Sequence, residues 1–435
     1  MPAAHSAHAP TDVVVVGGGL IGLCSAHSLT RAGHRVTVID RTRIGAGAAR
    51  GNAGEVTPLT ALPLAGPGMI RETIRAVLSR KHYLRIAPLA LPGLTAFGLA
   101  FLANCTPARV AAGTRALDQL TRGAFAAFDS YAQDGVTLAG GGTGYLYTHT
   151  DPALLAAYRE SMAARADLLG MQRPDAVLSG TALREAEPAL SPSAPAAFIA
   201  PTERYIDPGV FVDDLRAQLA AAGAQFREGV TAIRLDPAAD LPTVVARTAA
   251  GEERIAASRI VLAGGAWTRG VLARSGARWP RRLQVHPGRG YSFTVRTDIM
   301  PQRLLGSLSQ RTVAIPMSGR LRIVGLMDFD GSFDRTDPHR VAHLAERAAQ
   351  FVHGADWENT SEHWVGPRPM TPNGLPIISP LPQDPRVLIA TGHNMHGLSL
   401  GPVTGEIIAA LVDGRAPAVA GVPLDLTPFA LSGSR

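Results

Sequence analysis

A chain of 435 residues, 46% of them hydrophobic, can bury a large core, and a length of this order implies two or more domains. Disordered and fibrous classes are thereby excluded. Of the 42 basic residues behind the net charge of +7, only Lys81 is a lysine, and the arginines are scattered through periodic segments, so no nucleic-acid partner is expected. Cys24 and Cys105 offer neither a disulfide framework nor a metal-binding spacing, and a reducing, cytoplasmic compartment is the default.

In chain order, Met1–Pro10 lacks the apolar core of a secretory signal and reads as a disordered leader. Val13–Val16, four β-branched residues in a row, predict a parallel strand buried on both faces. Gly17, Gly19 and Gly22 follow in G-x-G-x-x-G spacing. Gly17 allows the turn out of the strand, Gly19 lets the backbone approach a pyrophosphate, and Gly22 lets the next helix pack close. That helix, about 20–32, stops at Gly33, and a second strand at 35–39 delivers Asp40 as acceptor for a ribose hydroxyl. Strand, helix, strand and acid in this order predict a dinucleotide site. NAD and FAD share the ADP half, so the fingerprint does not choose between them.

Next comes a loop of glycine and small residues, 45–58, where an NAD enzyme would ordinarily continue with another helix. Asn52, Ala53 and Gly54 in it resemble the N-A-G segment beside the flavin in the D-amino-acid oxidase and dehydrogenase group of flavoproteins. The segment 69–85 mixes apolar residues with Arg71, Arg75, Arg80, Lys81 and Arg85, and reads either as a solvated basic face or as part of a peripheral membrane contact through 66–105. The apolar run 86–103 is about long enough to span a bilayer. Pro88, Pro92, Gly93 and Gly98 interrupt it, so a buried or half-buried element is expected there rather than a single helix.

The region 66–190 is otherwise helix-rich, with a strand near 144–148. Asp207 and Pro208 open a helix as N-cap and first residue, Gly223 closes it, and 225–235 then reads as one strand. The resemblance places Val230 near the adenine, and Gly264 and Trp267, after the buried strand 260–263, near the dinucleotide. Residues 282–295 and 311–326 alternate as antiparallel strands do. Tyr291, in a G-Y-S segment, either offers a hydroxyl to the substrate or fills the strand; Tyr145, Tyr147 and Tyr205 are weaker candidates.

Two C-terminal segments, GPRPMTPNGLP at 366–376 and LIATGHNMHGLSLGPVTG at 388–405, are similar to the closing signature of FAD-dependent D-amino-acid dehydrogenases, and glycine and sarcosine oxidases share a looser form. The resemblance extends over nearly the whole chain. It implies an α/β (mixed α+β) fold, with a Rossmann-like FAD-binding domain from 11–65, 196–279 and 360–435. An antiparallel-sheet substrate domain from 66–195 and 280–359 is inserted in it. It also implies hydride transfer from a D-amino acid to the flavin N5 atom, giving a 2-oxo acid and ammonia, with electrons passing to a quinone or to oxygen. Oxidation of a secondary amine such as D-hydroxyproline or sarcosine is the alternative, and an NAD-dependent dehydrogenase the rival of another class.

An amino-acid carboxylate in a partly dry pocket calls for a guanidinium, and Arg368, restrained between Pro367 and Pro369, is the candidate. Val16, Gly17, Gly18, Gly19, Leu20, Ile21, Gly22, Asp40 and Arg41 are expected around the ADP half of the cofactor. Gly392, His393, Asn394, Gly397 and Leu398 would form the turn into a helix that has Pro402 near its start and points its N-terminus at the flavin. The resemblance gives His393 and His396 no duty as proton acceptors, because a neutral amine can lose its α-hydrogen directly as hydride; an apolar residue is commoner where His396 stands. No cysteine follows Cys105 and no histidine lies in the Asn52 loop, so FAD is expected to be held non-covalently.

Overall fold

The β-branched run Val13–Val16 sits at the centre of the protein, with all four side chains buried. It is flanked in parallel by Val36–Ile39 and by Arg259–Leu262. The six-stranded sheet runs Ile377–Leu381, Asp384–Thr391, Arg259–Leu262, Val13–Val16, Val36–Ile39, Gln225–Arg227, and only the first of these is antiparallel to its neighbour. The computed structural model describes residues 12–66, 68–79, 82–141, 144–236, 239–276 and 284–431. The leader Met1–Pro10, Arg80, Lys81 and the start of the strand expected from residue 282 lie outside them.

A second sheet, of eight mostly antiparallel strands, stands against the first. Ser361–Met370 forms its edge, followed by His286–Val295, Arg320–Phe329, Thr312–Met317, Leu304–Ser307, Tyr145–Thr148 and Ala197–Ala200, with Leu84–Ile86 pairing alongside Arg320–Phe329. Ser361–Met370 therefore belongs to the antiparallel sheet, beyond the boundary expected at 360, and the chain rejoins the parallel sheet only at Ile377. Pro367 and Pro369 are tolerated because an edge strand has one side with no ladder to break.

Two local expectations are corrected. Residues 225–235 are two strands in two sheets, Gln225–Arg227 and Thr231–Leu235, because Gly229 at φ +70° turns the chain between them. Leu91–Asn104 is one unbroken helix: Pro92 falls in its first turn, where no amide hydrogen bond is lost. Phe97 of that helix is buried and Leu94 and Phe101 are half-buried, as expected of a half-buried element. Among the described residues, no single helix is long and apolar enough to cross a membrane.

Helices Leu20–Arg31 and Gly397–Val412 pack closely against each other. A Cβ at Gly405 would stand 2.3 Å from the Cys24 carbonyl oxygen, and one at Gly401 3.2 Å from the Cys24 Sγ. These two glycines let the helices approach backbone to backbone. The N-terminal ends of both helices, Leu20–Ile21 and Gly397–Leu398, consequently open into one cavity.

Candidate active site

That cavity, about 510 Å³, runs from the glycine turn to the face of the antiparallel sheet. At its inner end Gly17 has φ +109°, and a Cβ there would stand 2.6 Å from the Ala263 carbonyl oxygen. Gly22 lies against the Gly17 carbonyl, 1.8 Å from where its own Cβ would be, so only glycine lets the helix start this close to the strand. At Gly19 a Cβ would meet nothing within 4 Å, so any side chain there would project into open space beside the helix N-terminus. Amide hydrogens with no partner in the helix converge there, which is the donor set a diphosphate needs.

Asp40 accepts a hydrogen bond from the Gly18 amide at 2.8 Å and bonds from the amide and hydroxyl of Thr42 at 2.8 and 2.9 Å. Its carboxylate is thereby fixed at the cavity wall with lone pairs to spare for a ribose. Arg41 lies over the Trp267 ring at 4.0 Å, and Trp267 stacks on Phe333 at 4.8 Å, so three flat groups form the wall beyond the ribose position. Val230, on the cavity wall, donates its amide to the Asp40 carbonyl at 2.8 Å.

At the opposite end, Arg368 pairs in register with Gly288, and its Nη1 donates to the Leu326 carbonyl at 2.9 Å. Leu326 has φ +57° at a bulge in its strand, the distortion that turns this carbonyl toward the guanidinium. The guanidinium rests on Gly290, where a Cβ would stand 2.3 Å from the Arg368 Cζ. Burial pulls the Arg368 pKa down to about 10, opposed by the carboxylate of Glu55, so the group keeps its charge at neutral pH. The Glu55 carboxyl is itself held above the usual range by burial, with Tyr145 and Arg368 acting in the other direction.

The small-residue loop is tied to the antiparallel sheet. Ser292 donates to the Gly51 carbonyl at 2.7 Å, and Arg322 donates to the carbonyls of Arg50 and Asn52 at 3.3 and 3.4 Å. Asn52 closes its own turn by accepting from the Gly54 amide at 2.8 Å. The Trp364 ring is wedged between Gly51 and Gly366, where added Cβ atoms would lie 2.2 and 2.0 Å from it.

The C-terminal turn, residues 392–396, is locked by Asn394. Its Oδ1 accepts from the Thr371 amide at 2.9 Å, and its Nδ2 donates to the Gly392 carbonyl at 2.7 Å. At φ +52° asparagine is one of the few non-glycine residues that tolerates the left-handed conformation. Thr404 gives its hydroxyl hydrogen to the Leu400 carbonyl, so in its 3.0 Å contact with His393 the imidazole Nε2 must be the donor. Burial lowers the His393 pKa to about 3; the ring is neutral, and its Nδ1 is a buried acceptor without a partner. His396 donates to the Leu62 carbonyl at 3.0 Å and is lowered to about 4, again by burial.

Most residues singled out in the sequence line this cavity. Val16, Gly17, Gly19, Leu20, Ile21, Asp40, Arg41, Asn52, Val230, Gly264, Trp267, Arg368, His393, Asn394, Gly397 and Leu398 are all on its wall. Gly18, Gly22, Ala53, Gly54 and Gly392 stand behind it and shape the backbone. Two expectations are corrected. Pro402 is the sixth residue of Gly397–Val412 rather than near its start, and Gly397 and Leu398 are helical rather than part of the turn. Tyr291 is fully buried away from the cavity and donates its hydroxyl to Asp328 at 2.9 Å, within a cluster that also holds Arg85, Arg289 and Arg340. Strand alternation explains this: Gly290 faces the guanidinium, so its neighbour must face the other way. Glu55, Trp364 and Met395 were not anticipated, and only Glu55, an acid within a run of small and apolar residues, left a visible cue.

A helix N-terminus at a glycine cradle, a fixed ribose acceptor, a flat aromatic wall and a second helix N-terminus in one cavity define a dinucleotide-dependent redox protein. The chain belongs to the FAD dependent oxidoreductase (DAO) family, which it matches over residues 12–411. Its cofactor is FAD. The chain is 31% identical over 428 residues to the D-amino acid dehydrogenase of Methylobacterium nodulans, covering 94% of this chain and 96% of that protein. With the D-amino acid dehydrogenase of Methylobacterium radiotolerans the identity is 31% over 436 residues, covering 96% and 99%. Among solved structures it resembles glycine oxidase from Geobacillus kaustophilus, with a TM-score of 0.72, 24% identity and coverage of 98% and 99% of the two chains. It also resembles L-proline dehydrogenase from P. horikoshii, with a TM-score of 0.71, 17% identity and 97% coverage of each.

The residues present suit FAD. The open space at Gly19 admits a diphosphate, and the partnerless His393 Nδ1 offers an acceptor to a hydroxyl or N–H group.

Proposed function

We propose that the chain oxidises D-amino acids to imino acids, which water hydrolyses to 2-oxo acids and ammonia. The observation that carries this reading is Arg368: a charged guanidinium, seated on a glycine and anchored by a strained carbonyl, facing the cavity into which both helix N-termini open. The names of the relatives support an amino-acid donor and the D configuration.

Bound FAD would supply the oxidant, taking the α-hydrogen with its electron pair. The protein's part is placement. Arg368 would grip the substrate carboxylate through two parallel hydrogen bonds and leave the α-carbon little rotational freedom. The Gly397–Val412 helix, buried on nearly every side, would present its positive end to charge gathering on the cofactor. Its Pro402 has no amide hydrogen to offer, so the Leu398 carbonyl lacks its usual partner within the helix. Asp40, the Gly17–Gly22 turn and the Arg41, Trp267 and Phe333 stack would hold the ADP half, with Asn52, Ala53, Gly54 and the 392–396 turn along the flavin. His393 is neutral and donates to Thr404, so it positions rather than removes protons. Glu55, close enough to Arg368 to support its charge, would help keep the guanidinium protonated. Electrons would then pass to a quinone or another acceptor.

A screen of D-, L- and N-methyl amino acids with an artificial dye acceptor tests the reading. Turnover of D-amino acids with primary amines is expected. Turnover confined to L-amino acids would overturn it, and turnover confined to N-substituted substrates would replace it with secondary-amine oxidation.

A further inference from the structure

The seat of the Arg368 guanidinium is a β-bulge. Where His286–Val295 pairs with Arg320–Phe329, Arg289 is in register with Asp328 and Tyr291 with Gly325, so Gly290 alone faces the two residues Leu326 and Met327. Both features that hold Arg368 lie inside this irregularity: Gly290, which leaves room for the guanidinium, and the Leu326 carbonyl, which accepts from its Nη1 at 2.9 Å. A leucine at φ +57° is strained and persists only where its surroundings impose it. The bulge must therefore be held from the other face of the sheet.

Asp328 closes the bulge on that face. Its side chain is fully buried. The Oδ2 atom accepts from the Tyr291 hydroxyl at 2.9 Å, is paired with the Arg85 guanidinium and has the Arg289 Nη2 3.5 Å away, while the Arg340 Nη2 stands 2.8 Å from Oδ1. Arg289 and Tyr291 are the residues on either side of Gly290, so one carboxylate reaches the strand on both flanks of the glycine. The Tyr291 bond is the uncharged member of the set, and the three guanidinium groups carry most of the hold. Arg340, on the helix Pro338–Ala348, extends it: it donates to the Tyr83 carbonyl at 2.9 Å, the same carbonyl that accepts from the Met327 amide at 2.9 Å. The second bulge residue is thereby fixed through a partner that Asp328 itself fixes. A buried network whose charges are paired makes such a backbone distortion rigid.

We propose that Asp328, on the face of the sheet turned away from the cavity, is a positioning residue for the substrate carboxylate. It fixes the bulge that aims the Leu326 carbonyl, and so keeps the Arg368 guanidinium where two parallel bonds form. The inference rests on the reading that Arg368 grips that carboxylate. Its sign separates it from simple electrostatics. Neutralising Asp328 leaves three guanidinium groups behind the seat with one counter-charge fewer, which by charge alone would draw an anion in more tightly. Loss of positioning does the reverse.

The test is the dissociation constant of propionate, a carboxylate without an amine, read from its perturbation of the flavin spectrum in the FAD-loaded full chain. Asp328→Asn keeps the shape of the side chain and should raise that constant by roughly tenfold or more, because a misplacement of about 1 Å in a site costs on the order of a hundredfold. The half-saturating concentration of a D-amino acid should rise in parallel. A merely structural role would lower the folded fraction and the melting temperature, and would leave the dissociation constant of the folded protein where it was. If Asp328→Asn does not retain flavin, its combination with Arg340→Met, which removes one buried charge of each sign, takes its place with the same expected rise. Unchanged or tighter propionate binding in the Asp328 variant, beside weakened binding in Arg368→Ala, overturns this inference alone. Unchanged binding in Arg368→Ala overturns the reading of Arg368, and this inference with it.

Discussion

Gly290 supports the guanidinium by having no side chain, and Gly290→Ala isolates that contribution. The new methyl group would stand 2.3 Å from the Cζ and Nη1 of Arg368 and 2.4 Å from Nη2. Restoring ordinary contact needs a shift of about 1 Å by the guanidinium, the one neighbour that can move without dragging backbone. Such a shift takes Nη1 off the Leu326 carbonyl, now 2.9 Å away, and carries both nitrogens from the position where two parallel bonds to a carboxylate form. Losing one charge-assisted bond costs about 1.5–3 kcal/mol, or roughly tenfold to a hundredfold in KM. The overpacked fold should lose no more than about 1–3 kcal/mol. Steady-state dye reduction with D-amino acids, set beside flavin content and thermal melting, separates the two effects. An unchanged KM in a variant with full flavin content would refute the seating argument.

Gly19→Val should fill the open space beside the first helix and release FAD during gel filtration, while the melting temperature of the FAD-free protein stays close to that of the FAD-free wild type; retention of full flavin would contradict the cradle. Tyr291→Phe should leave KM alone and lower stability by about 1–2 kcal/mol, because it withdraws one hydrogen bond from the buried Asp328. Denaturation of the holoprotein checks this, and a large rise in KM would return Tyr291 to the substrate. His393 supplies a pH test. Its folded pKa, about 3, lies below the ordinary 6.5, so its contribution is complete above pH 6.5 and is lost as the pH falls from there toward the folded value. The slope is up to about 1.4 kcal/mol per pH unit. Urea denaturation of His393→Asn should show a correspondingly shallower fall below pH 6.5 than wild type, and parallel slopes would contradict a neutral buried ring.

What was legible in advance follows from chain chemistry. Val13–Gly22 and Asp40 announce themselves because a doubly buried strand, a close helix start and a ribose acceptor each demand a residue type at a set spacing. Arg368 was visible because a substrate carboxylate calls for a guanidinium and its segment resembles the closing signature of the D-amino-acid dehydrogenases. Tyr291 was ambiguous for a geometric reason: alternation says that neighbours face opposite ways, but not which face looks into the cavity, and the glycine beside it held that face. The break between 227 and 231 depended on one glycine inside an apparently continuous strand. Leu91–Asn104 was misjudged because Pro92 is harmless in a first turn and harmful one turn later, a difference of a few residues. Trp364 could not have been picked out, since Gly51, one of the two glycines that seat its ring, is brought to it by a distant segment of the chain.

The central claim is that Arg368 holds the substrate carboxylate, and anaerobic titration of the flavin absorbance with D-amino acids tests it directly in wild type and Arg368→Ala. The account predicts bleaching in both, with the half-saturating concentration of the variant higher by roughly a hundredfold or more. Superimposable titration curves would contradict it.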